Sequence, residues 1–235
     1  MDAVIIAIYT FTLFWIYYAI VKRNFTKPDW EAALPGLDRT PALAFTMWAH
    51  IVCGAISLLL GPLQLISYIR RQIPYLHRWS GRVCCICCML STIFGLMFIA
   101  LKGKLVGGWN KSIAFSVAGI VFGFLAAKTW HKARLAKFFA SDRERYLTSH
   151  RNWAIRSYSQ ILAPVLYRYW YTVLAAFNWY PVPKPLKFGE VCNSDDTCPD
   201  YYRWLDSLHC WTYWLSSLLI AGVIVHYLPP LGGHK

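Results

Sequence analysis

The sequence predicts an all-α fold, a polytopic transmembrane bundle of about six helices, on three observations. Of the 235 residues, 57% are hydrophobic and 15% are charged, whereas a soluble domain carries roughly a quarter charged residues. Mean hydropathy is +0.37. Six apolar stretches reach or approach the about 20 residues that a helix needs to cross roughly 30 Å of hydrocarbon. They lie at about 3–21, 42–68, 82–101, 112–130, 153–178 and 204–228. Their even spacing argues for one membrane domain over residues 1–235. The alternating pattern of a membrane β-barrel is absent. Helices therefore satisfy the backbone where no water reaches.

The first stretch has no basic residue before it, runs longer than a signal peptide's apolar region, and is followed by Lys22 and Arg23. It reads as a retained helix. In the second, His50, Gly54, Ser57, Gly61 and Gln64 recur at steps of 4, 3, 4 and 3. The third repeats this with Gly81, Cys84, Cys88, Ser91 and Gly95, and the fourth with Ser112, Ser116, Gly119 and Gly123. Such steps place residues on one helical face, and small side chains there let helices approach closely in lipid. The fifth stretch has a larger and more polar seam, Arg156, Gln160, Tyr167 and Tyr171. Helices two to five are thus the expected four-helix core, with His50, Gln64, Arg156 and Gln160 as its polar lining. Trp79, Trp109, Trp130, Trp153, Trp179 and Trp204 fall near stretch ends, as an interfacial aromatic belt requires.

The formal charge of +13 lies in the gaps between apolar stretches, without a single continuous patch. Anionic lipid headgroups are the expected partner, and no nucleic acid is expected. Loops two and four with the C-terminus hold twelve lysines and arginines, against ten for the odd-numbered loops. The sequons at Asn24 and Asn110 fall on odd loops, as do Cys192 and Cys198, which are spaced for a small disulfide loop. These features place the N-terminus in the cytosol. The run Cys84, Cys85, Cys87 and Cys88 lies inside an apolar helix and reads as buried thiols, not as a zinc site.

Polar density peaks in two segments, His77-Arg78-Trp79-Ser80-Gly81-Arg82 and His150-Arg151-Asn152-Trp153-Ala154-Ile155-Arg156. Two helices separate them, so they share one membrane face. The chain resembles the family called domain of unknown function 2306 in its His50, Gly54, Gly61 and Gln64, its HRWSGR run at 77–82, and the segment from His150 to Tyr158. The resemblance spans about residues 45–175 and implies a multi-helix membrane protein. It implies no reaction. Cys84 stands where the resemblance leads one to expect an aromatic residue.

Three readings of the chemistry follow. Haem b could be held by His50, His77, His150 and His209, because haem iron in membrane bundles is ligated by inward histidines. Helix parity puts His50 and His209 at one face, and His77 and His150 at the other. An enzyme acting on a lipophilic small molecule (a prenyl, sterol or lipid substrate) could use His77 or His150 as acid or base. In that reading Arg78, Arg82, Arg156 and Gln64 would hold a phosphate or carboxylate headgroup. The third reading is a non-catalytic lipid-binding, transport or scaffold protein, with terminal arginines snorkelling to headgroups. His209 is expected to be a polar group satisfied by Thr212 or Ser216, and His131, His226 and His234 to be interfacial or tail residues.

Overall fold

The structure is a computed structural model that describes residues 40–105, 108–176 and 200–229, with the side chains of 168–176 and 200–207 excepted. The stretch at 3–21, the sequon at Asn24, and Cys192 and Cys198 lie outside the described residues, as do the side chains of Arg168 and Tyr171. Regular structure among the described residues is helical: α1 Pro41–Leu65, α2 Ser67–Gln72, α3 Pro74–Lys102, α4 Trp109–Phe138, α5 Arg143–Ala176 and α6 Asp200–Tyr227.

Local chemistry sets the helix ends. Thr40 caps α1 by accepting from the Leu43 N–H at 3.3 Å, with Pro41 in the first turn. Proline lacks the N–H that would be unsatisfied there anyway. Ile66 and Ile73 are extended or irregular and bracket the six-residue α2; Pro74 then opens α3. Gly103 and Gly108 hold positive φ angles of 73° and 92° at the two ends of the α3–α4 connection, a conformation that favours glycine. Ser112 pins that connection, donating to the Gly103 carbonyl at 3.0 Å and accepting from the Leu105 N–H at 2.9 Å.

The helices overrun the apolar stretches. α3 begins eight residues before Arg82, α4 continues to Phe138, and α5 begins ten residues before Trp153. At 1.5 Å per residue, the 29 residues of α3 span about 43 Å, well beyond the roughly 30 Å hydrocarbon layer. Hydropathy ends at the first arginine, whereas the backbone hydrogen bonds continue into the headgroup region. The segment from His77 to Arg82 is therefore inside a helix and not a lead-in to one.

Among the described residues, four helices are long and apolar enough to cross a membrane: α1, α3, α4 and Leu208–Tyr227 of α6. α5 is continuous but more polar, with Arg143, Arg145, Arg151 and Arg156 along it. The helix pairs with the most extensive packing are α1 on α3 and α4 on α5, followed by α3 on α4 and α5 on α6. α1 also touches α5, which closes a ring of α1, α3, α4 and α5, with α3 and α5 on one diagonal. α6 lies against α5 and α4. Three interior clusters result among the described residues, one around Cys84, Cys88, Ala126, Tyr158 and Ile161, a second around Ala118, Ala163, Tyr213 and Trp214, and a smaller one pairing Leu43 with Phe98. Large apolar side chains such as Ile93, Leu101, Ile120, Phe124 and Leu219 are exposed, as a lipid-facing surface requires.

The small-residue seams are slots. A Cβ on Gly61 would lie 2.6 Å from the Tyr158 ring, and one on Gly95 would lie 2.8 Å from His50 Nδ1. One on Gly81 would lie 2.7 Å from the Gln64 amide, and one on Gly123 would lie 3.0 Å from Thr92. Each glycine accepts a side chain from a neighbouring helix. The seam is filled along its length.

Candidate functional site

Because α1 and α3 are antiparallel, the polar residues of α1 meet those of α3 at two levels. At one level His50 Nδ1 donates to the Ser91 carbonyl at 2.8 Å, and the Ser91 hydroxyl donates back to the His50 carbonyl at 3.1 Å. At the other, Gln64 reaches the first turns of α3. With its amide oriented to satisfy both ends, Gln64 donates to His77 Nδ1 at 3.1 Å and to the His77 carbonyl at 3.0 Å. Its oxygen accepts from the Gly81 N–H at 3.2 Å, with Ser80 Oγ at 2.7 Å. The amide orientation is assigned from this network. His50 and His77 therefore occupy opposite ends of one seam.

The His77 end gathers side chains from several elements. His150, on α5, donates from Nδ1 to the Thr129 carbonyl of α4 at 2.9 Å. A carbonyl only accepts, so Nδ1 carries the proton and Nε2 is left for another partner. The charges of His150, Arg70 and Arg78 all act on the half-buried His77 imidazole. The charge of Arg70 also acts on Arg151. Arg151 donates to the Pro229 carbonyl at 2.7 Å, which fastens the start of α5 to the end of α6. Arg70 is positioned by α2, where its guanidinium reaches Ser67 Oγ at 3.5 Å. The result is two imidazoles and three guanidiniums, with no carboxylate partner among the described residues. Asp142 lies on the exposed turn before α5 and Glu144 is exposed in its first turn, at least six residues before His150.

Of the sequence-predicted residues, the structure brings His77, His150, Gln64 and Arg78 together. Arg82 and Arg156 are engaged elsewhere, stacked over Trp79 at 5.1 Å and Trp153 at 5.7 Å. His50 is held against α3 and His209 against α5, so that these two sit on different helix pairs. His209 is buried; Nε2 bonds to the Tyr167 carbonyl at 2.9 Å and its ring stacks on Tyr167 at 4.4 Å. It is a satisfied polar group, but its ring partner is Tyr167, and Thr212 bonds only to its backbone carbonyl. Gln160 clasps α6 through the Trp214 carbonyl at 3.1 Å and Ser217 at 2.7 Å. Asn110 also belongs to a helix contact, accepting from Trp211 Nε1 at 3.1 Å.

Arg70 is the member that sequence reasoning missed, and Arg151 is named within the His150 segment without a role. In the sequence Arg70 looks like any other loop arginine; only the fold shows that its charge acts on Arg151.

A family model described as a predicted membrane protein family, DUF2306, matches residues 47–184, more than half of the chain. The chain belongs to the DUF2306 family. No curated protein and no solved structure matches it. The DUF2306 match takes in α1 from Met47 through α5, and so every side chain of the His77 cluster; α6 and His209 fall outside it. Cys84, Cys87 and Cys88, buried on α3, are free thiols. Among the described residues, no group of three or more histidine, cysteine or carboxylate side chains is placed to hold a metal ion.

Proposed function

We propose that this DUF2306 protein binds the anionic headgroup of an amphiphile at the His77 end of the bundle, with that end facing the cytosol. The observation that carries this reading is the convergence of His77, His150, Arg70, Arg78 and Arg151 without a carboxylate among the described residues. Cations held together repel one another, and a phosphate or carboxylate placed among them reverses that repulsion. Guanidiniums offer forked donors to such oxygens. Gln64 braces His77 from below, and Thr129 braces His150 from the side. Exposed α3 side chains such as Tyr75, Leu76 and Trp79 supply apolar surface for a tail beside the headgroup. The geometry supports holding a ligand. It names no bond to be made or broken, although His77 and His150 are the groups that would act as acid or base on one.

The haem reading has weaker support. His50 and His150 do anchor Nδ1 on backbone carbonyls, an arrangement that orients metal-binding imidazoles. However, the His50 ring fills the slot at Gly95, and His209, its expected counterpart, is stacked on Tyr167.

The test is binding of a short-chain phosphatidylglycerol to the full chain in phosphatidylcholine nanodiscs. Arg78→Gln removes one charged contact, each commonly about 1.5–3 kcal/mol, and is expected to weaken binding by roughly tenfold or more. Arg82→Gln, at a residue stacked on its own helix's tryptophan, is expected to leave affinity unchanged. Equal losses from both variants, or no binding by the wild type, would refute the site.

A further inference from the structure

We infer that His50 holds the hydroxyl of an apolar alcohol or phenol dissolved in the membrane, accepting its hydrogen bond at Nε2 near the middle of the bilayer. This site lies at the other level of the α1–α3 seam from the His77 end and is independent of the headgroup reading.

His50 Nδ1 lies 2.8 Å from the Ser91 carbonyl oxygen, which can only accept, so Nδ1 carries the proton. The Ser91 hydroxyl is also 3.1 Å from Nδ1, but it has the His50 carbonyl as its own acceptor at 3.1 Å. In the neutral ring Nε2 is then an acceptor. It has no hydrogen-bond partner among the described residues. Nor is it shut in, since the buried side-chain nitrogens and oxygens left without a partner there are Tyr158 Oη and Trp214 Nε1. Nε2 is an open acceptor on a half-buried residue.

Its depth is fixed by α3. Arg82 and Lys102 are the charges that bound the apolar run of that helix. The steps of about 1.5 Å between them sum to roughly 30 Å, which is the thickness of the hydrocarbon layer. Ser91 is one residue from the midpoint of that run, and Gly95, the other neighbour of the His50 ring, is three. The imidazole thus lies within about 5 Å of the mid-plane, counted at the same rise per residue. Acyl chains offer no donor there, and water does not reach. A hydroxyl on an apolar body meets the same shortage, so each group is the partner that the other lacks.

The surroundings suit such a body. The ring cannot turn away, because it is pegged in the slot at Gly95 and clasped to Ser91. One turn along α1, a Cβ on Gly54 would meet only Ser91 Oγ, at 3.5 Å, which leaves room beside the imidazole. Phe45 and Phe94 meet edge to face at 5.6 Å on the same helix pair. Phe45, Val52, Ile93 and Met97 are exposed, an apolar surface for the rest of the molecule. A ligand that only accepts hydrogen bonds, such as an ether or a ketone, finds no donor in this ring, whose N–H is taken by Ser91. Preference for a hydroxyl over its methyl ether follows from the tautomer.

The experiment is photolabelling of the full chain in phosphatidylcholine nanodiscs by a geranylgeraniol analogue that carries a diazirine in its tail. Unlabelled geranylgeraniol, para-nonylphenol and the methyl ether of each serve as competitors. Label is expected on the α1 and α3 segments around His50 and Ser91, displaced by the two hydroxyl compounds. Each ether should compete about three- to tenfold less well, the worth of one hydrogen bond. The stronger of the two hydroxyl competitors tells an isoprenoid alcohol from a phenol as the ligand. His50→Asn keeps an N–H close to the position of Nδ1 and removes Nε2; in it the hydroxyl compounds should compete no better than their ethers. Ethers that compete as well as their parents, or label spread evenly over the exposed helix faces, would overturn the site. A hydroxyl preference that survives in His50→Asn would overturn the assignment to Nε2. If that variant fails to fold, the comparison of hydroxyl and ether on the wild type decides the matter alone.

Discussion

Adding one methyl group at Gly61 separates a filled slot from a loose seam. In Gly61→Ala the new Cβ would stand 2.6 and 2.7 Å from two carbons of the Tyr158 ring, where ordinary contact begins at 3.4 Å. A ring cannot fold away as a long flexible side chain can, so α1 or α5 must yield by about 0.8 Å. Overpacking of this kind costs about 1–3 kcal/mol. Against it stands the helix preference for alanine over glycine, about 1 kcal/mol, so the net loss is expected at roughly 0–2 kcal/mol. Gly222 provides the reference, because a Cβ there meets nothing within 4 Å. Gly222→Ala is expected to stabilise by up to about 1 kcal/mol. The two variants should therefore differ by about 1–3 kcal/mol, and that difference isolates the contact with Tyr158. The assay is reversible unfolding in mixed detergent micelles, followed by tryptophan fluorescence. In a Tyr158→Leu background the Gly61→Ala penalty should shrink, since the obstructing ring is gone. If Gly61→Ala proves as benign as Gly222→Ala, the slot is not filled and the reasoning about the seam fails.

Two further outcomes follow from the same interior. Tyr158 is buried, and its hydroxyl has no protein partner among the described residues. Leaving such a group unpaired costs about 1–3 kcal/mol, so Tyr158→Phe should stabilise the protein in the same unfolding assay; destabilisation would reveal a partner for the hydroxyl. The protein purified from haem-replete cells is expected to show no Soret band before or after dithionite, because the His50 ring is already seated against Gly95. A reducible Soret band that is lost in His50→Ala or His150→Ala would restore the haem reading.

Much of the seam could be read before any coordinates. The steps linking His50, Gly54, Gly61 and Gln64 put them on one face, and that face does meet α3 and α5. Helical periodicity is a property of the backbone and shows through any sequence that obeys it. The partners were not readable. Tyr158 entering the slot of Gly61, or His209 stacking on Tyr167, joins residues far apart in the chain, and no local pattern encodes such a pairing. Helix ends were misplaced for a different reason. Apolarity marks where lipid begins, while α3 and α5 extend beyond it on hydrogen bonds that arginine and histidine side chains do not interrupt. Arg70 was hidden because a clustered arginine and a snorkelling one share the same sequence signature. The break at Ile66, which creates α2 and turns Arg70 inward, falls within a stretch read as one helix.

The slots also bear on how this bundle can move. Side chains of α1 enter α3 at Gly81 and Gly95, Thr92 of α3 enters α4 at Gly123, and Tyr158 of α5 enters α1 at Gly61. Pegs of this kind, set around a closed ring, block axial sliding in much the way that teeth fix the phase of meshed gears. A helix displaced along its axis would have to clear its neighbour by about 5.4 Å, one full turn, before the next register came within reach. Motion is left to the parts that carry no pegs. The short α2, bracketed by Ile66 and Ile73, contributes no such peg, so Arg70 is placed by the breaks at its two ends and not by the interlock.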